Sequence, residues 1–441
     1  MAMFSRRRMQ TMLDDIEHLL DASKRADLVG RLNNKRVEQA LPAEMELALI
    51  WAMRDLDCLE VEPHWWVDGK RPDIYVEGFI KDTPTVVEIA ATNDQSISGE
   101  DVMDGCVREV IDFANKILKG SGDFLYFSFS ETRSSVRGRS IRGIAAPKNY
   151  KLSASAKIEI RRWLKSHDAH KIPLVIDDAG LSVVIEMKPF KQIRFHNFWT
   201  SRPPRTYSET NNSIYNLLKK KASQVERAPS GTKRIIFLAD VGSRTLAEIG
   251  KRNWGPDTEA NATASAIISR FLKDRVDRVD AVVVFSPGQK PLHIGRNKSA
   301  AWTVVPFSTH VWKQLEEGLI ELKAQLPSPR YSGPQARSLF RQGAFSPNAR
   351  GQYLGSVMTT DSRETTYRIS ARAFQDFLSG CITEKQFRHF IGDREDRPSI
   401  AGLLDAGLTI SGARIIRAGV DEDDDHLEFR FAPDAAAKPF T

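Results

Sequence analysis

At 441 residues the chain is longer than one ordinary domain, so two or three domains are expected, and its 41% apolar and 27% charged residues are a normal globular mix that can bury a core. No apolar run is long enough to span a bilayer. The net charge of +7, from 64 basic and 57 acidic residues, is too small to identify a partner, and Cys58, Cys106 and Cys381 form no CxxC and have no His at ligand spacing, which argues against a zinc site or a disulfide framework.

The N-terminal MAMFSRRRMQTMLDD is basic with no apolar segment behind it, so it does not read as a secretory signal, and a soluble cytoplasmic protein is expected. Residues 9 to 40 read as helix, with Met12, Ile16, Leu19 and Leu20 on one face. Pro42 suits the first turn of a second helix, about 43 to 56, striped with Met45, Leu49, Met53 and Leu56. Strands follow at Leu59 to Val67, Asp73 to Val76 and Thr85 to Ala90, with turn chemistry at Lys81-Asp82-Thr83-Pro84. Residues 100 to 118 read as helix and Phe124 to Phe129 as strand. The stretch 130 to 210 is mixed, with a good strand at Leu181 to Met187 and a break at Pro203-Pro204. Then come helix 212 to 226, strand Arg234 to Asp240, helix 258 to 273 and strand Ala281 to Phe285. This order predicts an α/β layer architecture.

Pro327, Pro329, Gly333 and Pro334 mark a linker to a smaller α+β unit. That unit is expected to hold strands near Gln352 to Met358 and Thr366 to Ile369, a helical pair over 371 to 391, and a closing strand Leu427 to Phe431. The expected division is a helical segment (1–40), a main domain (41–326) with an insertion at about 95–210, and a C-terminal domain (335–441). Basic residues cluster at Arg6 to Arg8, at Arg133, Arg137, Arg139 and Arg142, and at Arg202, Arg205 and Lys219 to Lys221. Any one cluster reads first as solvated surface, but three in the first half of the chain suit phosphate contacts. The acidic run Asp421 to Asp425 lacks the glycine and terminal Glu of a calcium loop and reads as solvated.

The chemistry concentrates in GKRPDIYVEGFIKDTPTVVEIAATND, Gly69 to Asp94. Asp73 opens one strand and Glu88 lies near the end of the next, so adjacent strands can bring both carboxylates to one end of a sheet. Two hard oxygen ligands suit Mg²⁺ or Mn²⁺, with water and a phosphate oxygen completing the shell. Such an ion polarises a phosphodiester and lowers the pKa of water. Asp73 could instead cap a turn, and Glu88 could pair with a lysine at a strand edge. Glu88, however, stands among Thr85-Val86-Val87 and Ile89-Ala90-Ala91, where an unpaired carboxylate is expensive.

Pro72-Asp73, the apolar strand carrying Glu88, and the preceding helix EMELALIWAMRDL with Glu46 together resemble the PD-(D/E)xK nuclease superfamily. The resemblance covers about 43 to 94 and 212 to 287 and implies a restriction-endonuclease-like core with a mixed central sheet flanked by helices. It also implies Asp73, Glu88 and Glu46 as metal ligands for Mg²⁺ or Mn²⁺. The match departs at Ala90, where the family places its lysine. Some members carry that lysine on the following core helix, which makes Lys221 in LLKKKASQ the replacement, Gln224 its neighbour on the same face, and RIIFLAD the next strand. Within a run of three lysines, surface charge competes with this role for Lys221, as a plain helix-surface position does for Glu46.

A rival site is Glu186-Met187-Lys188, preceded by Asp177 and Asp178, but Pro189 follows at once and no helix comes after it. His64 beside Trp65-Trp66 reads as a packed aromatic cluster. Two functions follow. The first is a nuclease cutting nucleic acid, with DNA as the expected substrate and restriction or phage defence as the setting the family suggests. It would work as a homodimer or with a defence partner protein. The second is a catalytically inactive nuclease-fold module that binds nucleic acid or a partner protein.

Overall fold

A computed structural model describes residues 3–34, 36–66, 71–94, 99–136, 139–189, 192, 198–200, 208–249, 262–288, 301–308, 310–344, 356–361, 364–391, 399–422 and 424–434. Of the sequence features above, Val67, Gly69, Arg137, Arg202, Pro203, Pro204, Arg205, Asp423 and the starts of the helix expected over 258 to 273 and of the strand expected near Gln352 lie outside them. The chain packs into two compact units that interleave along the sequence. One takes in Met1–Thr85, Phe285–Val304 and Lys313–Thr441, the other Val86–Val284 and Val305–Trp312.

The chain begins with α1 (Arg6–Asp15), a 3-10 turn (Glu17–Leu19), α2 (Ala22–Leu32) and α3 (Val37–Met53). The single helix expected over 9 to 40 is therefore divided. Asp21 is the reason: its side chain accepts from the Lys24 N–H at 2.7 Å and starts α2 as an N-cap, as Ser5 does for α1. Pro42 lies inside α3 and not in its first turn, where its missing N–H leaves the Glu38 carbonyl without its helical partner. Thirteen of the seventeen residues of α3 are buried, so packing on most sides stabilises a helix its proline weakens.

Strands β1 (Glu60–Val61), β2 (Ile74–Ile80) and β3 (Thr83–Thr92) follow. Strand β1 is only two residues long, shorter than the Leu59 to Val67 strand expected, and pairs antiparallel with β2. The turn before β3 is tighter than predicted: Lys81 and Asp82 make it, with Asp82 at φ 55°, a conformation Asp tolerates better than most residues. Beyond it lie α4 (Glu100–Ile117), β4 (Leu125–Phe129), β5 (Glu131–Val136), β6 (Arg139–Ile144), α5 (Ala154–Leu164), β7 (Leu174–Asp178), β8 (Leu181–Met187) and β9 (Phe198–Thr200). Then come α6 (Ser213–Val225), β10 (Lys233–Asp240), α7 (Arg244–Ala247), α8 (Ala264–Asp274), β11 (Ala281–Pro287) and β12 (Trp302–Ser308).

The central sheet is mixed and six-stranded among the described residues, in the order β1-β2-β3-β10-β11-β12, within an α/β architecture whose sheet is flanked by helices. Strands β3 and β10 run parallel. The Val241 N–H donates to the Thr92 carbonyl at 3.0 Å, and the Asp94 N–H to the Gly242 carbonyl at 3.3 Å, so both chains advance together. A parallel neighbour needs a long crossover, and the span between β3 and β10 supplies far more than the minimum.

The insertion builds a sheet and a hydrophobic cluster of its own. Strands β7-β8-β4-β9 form a second sheet, with Phe127 opposite Ile185 in the antiparallel β4–β8 pair. Leu125, Phe127 and Phe129 face inward at alternate positions and pack with Val110 of α4 and Ile160 of α5. Hairpin β5–β6 stands as a separate two-stranded sheet.

The final stretch holds α9 (Trp312–Gln325), α10 (Gly333–Ala344), β13 (Val357–Thr360), β14 (Thr365–Ser370), α11 (Ala371–Leu378), α12 (Glu384–Phe390), α13 (Ser399–Asp405), β15 (Leu408–Ile416) and β16 (His426–Pro433). The helical pair over 371 to 391 and the closing strand are where the sequence places them. Strand β15 was not expected. It completes the antiparallel order β13-β14-β16-β15, yet all nine of its residues are exposed or half-buried and it is bulged between Ile410 and Gly412, so it carries no clean alternation.

The acidic run has a partner where a solvated loop was expected. Arg7 pairs with Asp425 at 2.9 Å and donates to the Ala418 carbonyl, while Arg8 pairs with Asp421 at 2.9 Å. The first basic cluster thus ties α1 to the β15–β16 loop within one unit.

Candidate functional site

Strand β3 is buried along almost its whole length, with Val86, Glu88, Ala90 and Thr92 on one face. Glu88 is fully buried, and its Oε1 accepts a hydrogen bond from the Lys221 ammonium in a direct ion pair. The lysine missing at position 90 would have shared a face with Glu88. A cation from α6 reaches that carboxylate instead.

Why Lys221 and not its neighbours follows from the helix. Asn212 caps α6 by accepting from the Tyr215 N–H at 2.8 Å. From there Ile214, Leu218, Lys221 and Val225 recur at spacings of four, three and four, a single stripe on which the three apolar residues are fully buried. Lys219 and Lys220 fall off the stripe and are exposed. Tyr215 locks the helix further, edge-on to Phe271 of α8 at 5.9 Å and donating its hydroxyl to Asp274 at 2.8 Å. Gln224 is half-buried on the next turn.

Asp73 directly precedes β2 and is half-buried, with its carbonyl accepting from the Glu62 N–H. Glu46 is in a different situation from the one its motif suggests. Its carboxylate takes both Arg31 nitrogens, at 2.6 and 3.1 Å, and Lys24 at 2.9 Å, and Lys24 also pairs with Glu62. Burial alone would raise the pKa of Glu46, but Arg31 and Lys24 outweigh it and hold the carboxyl below its ordinary value. A divalent ion there would have to displace two cations, so Glu46 is a structural ion-pair centre. Among the described residues no three His, Cys, Asp or Glu side chains gather as a metal cage. The donor set that remains, one or two carboxylates with water, is one Mg²⁺ accepts.

The rival motif separates. Lys188 pairs with Glu186 two residues away on the surface, its ammonium over the Tyr126 ring at 5.2 Å. Asp177 lies opposite Ser182, four residues along β8 from Glu186, roughly 13 Å at strand rise. Asp178 serves as an acceptor for the Tyr150 hydroxyl at 2.6 Å and the Ser153 N–H. The aromatic cluster forms without its histidine: Trp65 is tilted on Trp66 and edge-on to Tyr75 at 5.0 Å, while His64 is exposed.

Two acids, one buried and one half-buried, escaped the sequence reading. Asp240, fully buried at the end of β10, accepts from the Gly242 and Ser243 N–H groups at 2.9 and 2.7 Å. Asp94, just past β3, accepts from the Arg244 N–H at 2.6 Å through Oδ2, while its buried Oδ1 has no hydrogen-bond partner among the described residues, and burial raises its pKa. Together they staple the turn at 241 to 244 at the carboxyl ends of two parallel strands. The signal was present in the sequence: ATND and FLAD both end an apolar strand on an acid.

Compared with protein-family models, with curated proteins and with solved structures, the chain finds no match. No helix among the described residues is long and apolar enough to cross a membrane.

Proposed function

We propose that the chain is a metal-dependent nuclease of the PD-(D/E)xK kind, with a restriction-endonuclease-like core, acting on DNA in the cytoplasm. The observation that carries this reading is the Lys221–Glu88 ion pair. The motif's weakest point was the missing lysine at Ala90, and a lysine from the following core helix meets the same carboxylate. The order of the central sheet, with the Glu88 strand between β2 and β10, agrees with the reading. Asp73 is retained as the companion carboxylate on the strength of the Pro-Asp motif; Glu46 is not retained.

When bound, Mg²⁺ or Mn²⁺ supplies Lewis-acid activation of the phosphodiester. Glu88 is a fixed anchor for such an ion because its strand is buried and its orientation is set by Lys221. Lys221, held on a packed helix, offers a positive charge where negative charge develops on the phosphate. Gln224, one turn on, is placed to position the lysine or the substrate.

The test is cleavage of plasmid, linear duplex, single-stranded DNA and RNA by the full chain with Mg²⁺ or Mn²⁺, against excess chelator and against Glu88→Ala. Metal-dependent products lost in Glu88→Ala support the reading. A second reading, a binding module without catalysis, is favoured by the double pairing of Glu46. Retention of nucleic acid with no cleavage under any of these conditions would establish it.

A further inference from the structure

Helices α1 and α2, with the start of α11, enclose a cleft of about 740 Å³ inside one unit. Its floor is apolar, made by Met9, Leu13, Val29 and Leu32. Four arginines line it, Arg6 and Arg7 from α1, Arg25 from α2 and Arg372 from α11, and among the described residues no carboxylate does. The acids that hold three of these arginines stand outside the lining. Arg7 meets Asp425 at 2.9 Å, Arg25 meets Glu17 at 2.8 Å, and Arg372 lies 3.6 Å from Asp424. A guanidinium has five N–H donors, and one carboxylate engages at most two of them, so these pairs orient the arginines and leave donors for an anion. The volume is that of a small-molecule site. Gln10 and Asn33 add amide groups to the lining; each gives one N–H within its own helix, to Asp14 and to the Val29 carbonyl, and has a second N–H and an oxygen besides.

We infer that this cleft binds a nucleoside phosphate, the phosphate on the arginines and the base on the apolar floor. Bare phosphate would leave the floor unused, and an apolar ligand would leave the remaining N–H donors of Arg7, Arg25 and Arg372 without an acceptor. The amides at the lining match the mixed donor and acceptor edge of a base. The lining shares no residue with the Glu88 and Lys221 pair, and its test reads binding alone, so the result holds whether or not the protein cuts nucleic acid.

Titration calorimetry on the full chain, with AMP, ATP and inorganic phosphate as separate probes, decides the matter. Saturable binding of AMP and ATP, with inorganic phosphate at least about tenfold weaker, is expected. Arg25→Gln and Arg372→Gln each weaken nucleotide binding by about tenfold. Ala26→Trp fills the cleft without removing a charge and abolishes binding, while an unchanged unfolding midpoint shows that the variant is folded. Absence of saturable heat with AMP or ATP at millimolar concentration overturns the inference. So does equal affinity for inorganic phosphate, or undiminished binding in a folded Ala26→Trp variant.

Discussion

The Lys221 ammonium donates to Glu88 Oε1 across 133 residues of sequence, joining a helix lysine to a carboxylate in the middle of a buried strand. Removing the cation from a fully buried acid is costly for stability as well as chemistry. Lys221→Met should lower stability by about 2 kcal/mol, the value for a buried pair reduced because the lysine itself is partly exposed. Cleavage at saturating substrate should fall roughly a hundredfold, as when one charge-stabilising group is lost. Lys219→Ala, off the buried stripe, should leave stability and rate nearly unchanged and weaken binding mildly and in a salt-dependent way. Denaturant unfolding and single-turnover rates on both variants separate the roles; equal small effects would reduce the lysine run to surface charge.

Metal dependence isolates the acids. Asp73→Asn and Glu88→Gln should each abolish Mg²⁺- or Mn²⁺-supported cleavage while circular dichroism stays native, and chelator should silence the parent protein. Undiminished cutting by both variants would remove the two residues from the site.

Glu46 gives a pH signature. Its folded-state pKa lies below the ordinary carboxylate value because Arg31 and Lys24 outweigh burial. A depressed acid contributes stability that is fully present above its unfolded value, about 4.3, and is lost as the pH falls through the lower folded value. Denaturant midpoints should therefore drop as the pH falls from about 5 toward 3. Glu46→Gln should flatten that drop, and Glu46→Ala should cost about 2 kcal/mol at neutral pH by depriving buried Lys24 and half-buried Arg31 of their shared anion.

The insertion should respond as a packed body. Phe127 is 1% exposed in the core of the β7-β8-β4-β9 sheet, so Phe127→Ala should destabilise by about 3 to 5 kcal/mol. Chemical denaturation monitored by tryptophan fluorescence, Trp163 being part of that core, measures it. A cost below about 1 kcal/mol would show that this body is loosely packed.

The sequence by itself determined the elements whose periodicity is local. The stripe of α6, the alternation of β4 and β8, and the apolar run of β10 and β11 all stand within a residue or two of where their patterns place them. It also singled out Glu88, because a carboxylate inside Thr-Val-Val-Glu-Ile-Ala-Ala demands a partner. It placed Lys221 as that partner only by resemblance, although the buried stripe Ile214, Leu218, Lys221, Val225 distinguishes it from Lys219 and Lys220. What tertiary structure alone decided is which charges neutralise which. Arg7 and Arg8 with Asp425 and Asp421, and Glu46 with Lys24 and Arg31, are ion pairs whose partners carry no mark of each other in sequence. Charge attraction depends on distance and burial, and neither exists until the chain has brought its separate segments together.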